Sequence, residues 1–228
     1  MTGLTGISLE PFRGDFEGLE KMAHASWRDE YGVSSFPNFY RPAFLRYLFG
    51  RIKEPDHLIA AYRGEEIVSF LGNIPHTFRF RGRLYRGTWS CLLVTRKELL
   101  RKGHAVAIIK EALRINQKYK YDFALATFET GHRSTLMLRK LQAEGNRLER
   151  MKRLRVIARI LDLKRVEASE GLKAWEKAVI KLIGGDQKPK DDFPAAVREF
   201  RPRDLAACLA LLNAYADKIE LARVWEPD

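Results

Sequence analysis

At 228 residues, with 46% apolar and 11% aromatic side chains, the chain is long enough to bury a core. It contains no run near the roughly 18 uninterrupted apolar residues of a membrane span. Its 41 Lys and Arg against 29 Asp and Glu leave a formal charge of +12, a long-range field that favours polyanionic partners and says nothing about fold. The opening "MTGLTGISLEPF" lacks the basic and apolar blocks of a secretory leader, and Cys91 and Cys208 stand far apart. Both features suit free thiols in a reducing compartment, so a cytoplasmic location is expected.

The elements follow in chain order. "GISLEPF" alternates as a first strand, and Asp15 then precedes "FEGLEKMAHASW", where Phe16, Leu19, Met22 and Ala23 recur at helical spacing. "RPAFLRYLF" predicts a second helix, with Pro42 near its start and Gly50 after it. "HLIAAYRGEEIVSFLGNI" predicts a hairpin across Gly64, and "HTFRFRGRLYRGTWSCLLV" a further turn at Gly82 and a strand through Val94. Beyond a cationic turn, Ala105, Ile108, Ile109 and Ala112 stripe a third long helix. "YDFALATF" is the almost wholly apolar run of a strand buried on both faces. "GHRSTLMLRKL" predicts a helix after it, "RLRVIARILDL" a strand with one arginine-bearing face, and "EGLKAWEKAVIKLIGG" a helix stopped by glycines. The order β-α-α-β-β-β-α-β-α-β-α predicts an α/β protein with a mixed sheet flanked by helices.

"DQKPKDDFP" is charged and proline-bearing and reads as a linker. After it the pattern restarts: "VREFRPRDLAACLALLNAYA" repeats the strand, arginine-bearing turn, Asp and apolar helix of the N-terminus. Asp204 matches Asp15 as a helix N-cap, and Leu205 matches Phe16.

The chemistry centres on residues 92–114, "LLVTRKELLRKGHAVAIIKEALR". A helix N-terminus offers unpaired N–H groups and a partial positive charge, and glycine lets a phosphate approach the backbone. Arg101 and Lys102 add full charges directly before Gly103, and small Ala105 follows. These parts make a pyrophosphate seat.

The block from Cys91 to Leu113 resembles the strand, Arg/Gln-x-x-Gly-x-Gly/Ala turn and helix of the GNAT N-acetyltransferase superfamily. Gly103 and Ala105 match that motif, and the order of elements over residues 6–163 follows the family. The resemblance implies a GNAT-like fold and transfer of an acetyl group from acetyl-CoA (coenzyme A) to a small-molecule or peptide amine. It implies diphosphate contacts from the backbones of Arg101, Lys102, Gly103, His104 and Ala105, and pairing of main-chain groups near Leu93 and Val94 with the pantetheine arm. His104 is expected to face the phosphates or solvent.

Two positions depart from the family. Leu100 stands at the leading Arg/Gln position, and Leu138 replaces the tyrosine that protonates the departing thiolate. Amide formation also needs a base and an oriented acceptor. Glu129, at the end of the buried strand, is the candidate base; His132 is a candidate proton shuttle; Ser90 lies on the strand beside them. Cys91 is a possible nucleophile or a small buried hydrophobe. The aromatic set Trp27, Tyr31, Phe36, Phe39 and Tyr40 is placed to shape the acceptor pocket. Scattered histidines and unpaired cysteines give no metal motif.

The domain reading is residues 1–165 as the GNAT-like unit, 166–195 as a helix and charged linker, and 196–228 as the start of a second, truncated GNAT-like unit. Tandem units of this fold also occur in transferases that use aminoacyl-tRNA, and the charge of +12 admits tRNA as a partner. A non-catalytic acyl-CoA or nucleic-acid binding module is the remaining alternative.

Overall fold

A computed structural model describes residues 6–32, 38–100, 102–128, 134–151, 173–182, 184 and 198–226. Strand β1 (Ser8–Pro11) leads into α1 (Phe16–Tyr31), and α2 (Pro42–Phe49) follows. The Asp15 carboxylate accepts the Gly18 N–H at 2.8 Å, satisfying one of the donors that the first turn of α1 leaves unpaired. Pro42 opens α2 at the one place in a helix where its missing N–H costs nothing. Strands β2 (Leu58–Arg63), β3 (Glu66–Phe80) and β4 (Arg83–Thr95) form an antiparallel meander. Its first turn uses Gly64 at φ +60°. Then come α3 (His104–Lys118), β5 (Phe123–Ala126), α4 (Ser134–Ala143), α5 (Ala174–Leu182), α6 (Leu205–Ala216) and β6 (Leu221–Arg223).

The sheet runs β1-β2-β3-β4-β5, antiparallel except for the parallel β4–β5 pair, and β6 adds to β3. Alternating side chains divide it between two cores. Phe12, Leu19, Met22, Leu45, Phe49, Phe70 and Ile74 fill the α1–α2 side, and Ile59, Val68, Leu71, Leu99, Ile108 and Ile115 fill the α3 side. The predicted mixed sheet with helices on both faces is what forms.

On the α3 side a polar network replaces apolar packing. Asn116 Oδ1 accepts from Asn73 Nδ2 at 2.8 Å and from the Thr88 hydroxyl at 3.2 Å, and Ser90 Oγ donates to Asn73 Oδ1 at 2.9 Å. Asn73, Thr88 and Asn116 are all buried, so the bonds are what make their burial tolerable. On the other face Phe49 lies against Gly72, where an added Cβ would sit 2.7 Å from the ring. Glycine there lets α2 press directly onto β3.

Three expectations need correction. β5 alternates half-buried Phe123 and Leu125 with exposed Ala124 and Ala126, so it is not a strand buried on both faces. A four-residue apolar run looks the same in either situation. Asp204 stands at the N-cap position of α6, but its side chain makes no capping bond to that helix. Its carboxylate accepts the Arg201 N–H at 2.8 Å and pairs with both guanidinium nitrogens of Arg198 at 2.7 Å, closing the 3-10 turn Pro202–Asp204. No described strand precedes α6 either, since residues 198–200 carry no regular structure. The expected strand at 153–163 lies outside the described residues.

The C-terminal segment returns to the main sheet. β6 pairs Phe78↔Arg223, Arg79↔Ala222 and Phe80↔Leu221, while β2 pairs with β3 only as far as Gly72. Between them residues 73–77 have no described strand on that edge. Thr77 O accepts the Val224 N–H at 2.9 Å, so Thr77 turns its backbone to this edge and Pro75, two residues earlier, does the same. The missing N–H of Pro75 therefore removes no bond from the β4 ladder. Arg79 pairs with Asp217, and Arg81 with Glu220 at 2.8 Å. α6 itself is apolar nearly all round, and Leu211 and Tyr215 are 73% and 66% exposed. No helix among the described residues is long and apolar enough to cross a membrane.

Candidate active site

β4 outruns β5, and the opening this leaves, the split, lies beside one irregularity of β4. Phe70 pairs with Val94 and Gly72 with Cys91, so Leu92 and Leu93 together oppose the single residue Leu71. Leu92 takes φ +56°, a conformation that costs a branched side chain about 1–2 kcal/mol. Such a bulge bends and twists its strand. The β4–β5 ladder ends at Ser90↔Ala126, two residues before Leu92. Beyond it, no described strand pairs with the outer edge of Cys91–Thr95. Leu93 and Val94 lie on this bent segment; the Val94 carbonyl already accepts from Ser69 Oγ at 2.8 Å. The carboxyl ends of strands are where open sheets bind ligands.

β4 continues through a 3-10 turn, Lys97–Leu99, whose Leu99 anchors in the α3-side core. The chain then reaches Gly103 at φ +88°, and α3 begins at His104 with no side-chain cap among the described residues. The first backbone bond into the helix runs from Ala107 N–H to Gly103 O at 2.9 Å. The N–H groups ahead of it are the four that a helix leaves without intrahelical partners. A Cβ at Gly103 would meet nothing within 4 Å, so the space over this turn is open. Lys102 is exposed beside it.

His104 departs from expectation. It is 2% exposed, and its Nδ1 is buried without a hydrogen-bond partner. Burial lowers its pKa, and the charges of Lys102 and Arg63 push the same way. The ring is thus a wall of the turn while the backbone remains the binding element. Arg63, at the end of β2, is a cation that the sequence reading missed; only the sheet brings it to α3. An uncapped helix start, a glycine turn and two nearby cations are features that favour an anion.

The remaining candidates are placed unequally. Ser90 points into the α3-side network through its bond to Asn73. Cys91 lies on the opposite face, its sulfur 3.5 Å from the position of a Cβ on Gly72. Burial pushes its thiol up to about 12, so it stays protonated and a poor nucleophile. Iodoacetamide at pH near 8 is expected to alkylate exposed Cys208 and spare Cys91 in the folded protein. Mass spectrometry reads the outcome, and rapid labelling of Cys91 would reopen its candidacy. Arg101, Glu129 and His132 lie outside the described residues, as does Phe36. Leu138 is half-buried on α4. In the aromatic set, Trp27 and Phe39 meet edge to face at 6.1 Å and Phe39 touches Tyr40 at 5.1 Å. Tyr40 is buried, while Phe39 is partly exposed. Among the described residues no three His, Cys, Asp or Glu side chains converge as a metal site.

This architecture is the GNAT-like acyltransferase fold: a mixed sheet with a bulged fourth strand, a split before the fifth, and a helix starting at the mouth of the split. Solved structures with the same fold include Saccharomyces cerevisiae N-myristoyltransferase with bound myristoyl-CoA. Two of them superpose on 99% of this chain with TM-scores of 0.71 and 0.69, at 17% and 16% sequence identity. They are matched over 49% and 52% of their own length, so this chain spans about half of them. No protein-family model and no curated protein matches the sequence.

Proposed function

We propose that this chain is an acyl-CoA-dependent N-acyltransferase that acts on a small-molecule or peptide amine. The observation that carries the reading is the uncapped start of α3 at Gly103, flanked by Lys102 and Arg63 and set at the open end of β4. The amides of Gly103 to Ala105 fit a diphosphate, whereas the Lys102 N–H already donates to Leu99 O at 3.3 Å and leaves only its side-chain charge; the main chain of Leu93 and Val94 fits a pantetheine arm laid along β4. Bound there, acyl-CoA supplies an activated thioester. The amine nitrogen forms a bond to the acyl carbon as the carbon–sulfur bond breaks, and the proton released by the amine balances the one gained by the thiol.

Acetyl is the proposed acyl group. This choice carries over the acyl group that the resemblance implies. Glu129 and His132 keep the proposed roles of base and shuttle. Ser90 is assigned to holding Asn73, and hence β3 and β4, in register beside the split.

Isothermal titration with CoA, acetyl-CoA and a long-chain acyl-CoA tests the reading, together with thiol release over a panel of amines. Acetyl-CoA is expected to bind in the micromolar range and to support turnover. No heat from any thioester at high micromolar concentration removes the assignment.

A further inference from the structure

A cavity of about 440 Å³ opens where β3 lacks a neighbour, with residues 74–77 as its floor and the end of α2 as one wall. Four cations line it, Arg51, Lys53, Arg86 and Arg223, against two carboxylates, Glu54 and Glu226. His76 also lines it and stays neutral, since burial first and the Arg223 charge second lower its pKa to about 4. The positive excess is therefore carried by Arg and Lys at every working pH. Three aromatic rings, Tyr47, Trp89 and Tyr121, complete the lining. The Arg86 guanidinium lies over Tyr121, 5.2 Å from its centroid; Arg86 shares the α3 face of β4 with Thr88, so the hollow reaches round the open edge of β3 and Arg51 and Lys53 supply the charge beyond the end of α2. A polar, cationic, partly aromatic hollow of this size suits a small organic anion.

Its place relative to the split is set by β4. Trp89 pairs with Leu125, one rung before the ladder ends, and is 39% exposed. It stands on the same face as Ile74, its cross-strand partner, which packs in the α2-side core. Three residues of extended chain separate it from Leu92, or about 10 Å. A molecule lying along β4 on the α2 side, with one end at the bulge, has its other end in this cavity.

We propose that the cavity is the acceptor subsite and that the acceptor is an amine bearing an anionic group, carboxylate or phosphate, at the end remote from its reactive nitrogen. This rests on the acyltransferase reading and adds the acceptor's chemistry to it. Cationic side chains at the far end draw in and orient the anion, leaving the nitrogen at the split. Neutral amines of the same length lack that anchor.

The test is a series of ω-aminocarboxylates from glycine to aminooctanoate, each matched with its neutral amide, and an aminoalkyl phosphate of the longest span. kcat/KM is expected to rise with length for the anions and to exceed that of the amides by about tenfold at the best length. The carboxylate and phosphate arms show which anion is preferred. The double substitution Arg51→Gln with Lys53→Gln, at two exposed positions, is expected to raise KM for the long anions by about tenfold. It should leave acetyl-CoA binding, read by calorimetry, unchanged. Calorimetry of aminooctanoate with the unloaded protein gives a readout independent of turnover, and the double variant should abolish that heat. Equal use of anions and amides by a protein that binds and turns over acetyl-CoA overturns this proposal alone. Failure to bind any acyl-CoA removes the acyltransferase reading and the acceptor role with it.

Discussion

Replacing Gly103 by valine is expected to weaken acetyl-CoA binding by about 10- to 100-fold while the protein remains folded, a loss of one or two charge-assisted hydrogen bonds at roughly 1.5–3 kcal/mol each. The cause is conformational, not steric. Gly103 sits at φ +88°, and a Cβ there would meet nothing within 4 Å. A β-branched residue resists that φ, so the peptide rotates and swings the amides leading into α3 away from their common focus. Helix α3 is anchored elsewhere, by Ile108, Ala112 and Ile115, and the melting temperature should fall by only a few degrees. Titration calorimetry beside a thermal melt separates the two effects. Gly103→Ala should lie between valine and wild type. Undiminished affinity in the valine variant would mean that the diphosphate sits elsewhere.

The second large effect is on stability. Asn116→Ala should cost about 3 kcal/mol, because it strands the buried donors of Asn73 and Thr88 as well as opening a cavity. In a domain of this size that corresponds to a fall of about 6–12 °C in melting temperature. Thr88→Val, which removes only the 3.2 Å bond, should cost about 1 kcal/mol. The double variant is expected to lose less than the sum, since each single substitution already breaks the Thr88–Asn116 bond. Strict additivity, read from denaturant melts, would dissolve the network into independent contacts.

Much of the fold was legible because local chemistry and periodicity agreed. Asp15 before Phe16 caps a helix, Pro42 opens one, and Gly64 turns a hairpin, each through interactions within four residues. The cationic turn at Gly103 was legible for the same reason. Less local features escaped. The bulge at Leu92 shifts the phase of β4, yet Cys91, Leu92, Leu93 and Val94 are all apolar, so nothing in their pattern marks the extra residue. His104 could be read as facing out or in, because the first residue of a helix belongs to no established face. Arg63 reaches the site only through the sheet. The cation-lined cavity draws on five separate stretches between Tyr47 and Glu226, and no spacing rule joins them. The apolar helix α6 was expected, but the return of Leu221–Arg223 to β3 was not, since three residues carry almost no strand signal.

That return has a kinetic consequence. Arg81 and Glu220, which tie the tail to β3, are 139 positions apart in the chain. Contacts of such sequence separation close slowly, after the local hairpins have formed. On a ribosome, the distal half of β3 therefore waits with one rim unzipped until Leu221–Arg223 have emerged. Arg79 and Arg81, spaced along that waiting rim, supply the like-charge repulsion that keeps two nascent copies from pairing there.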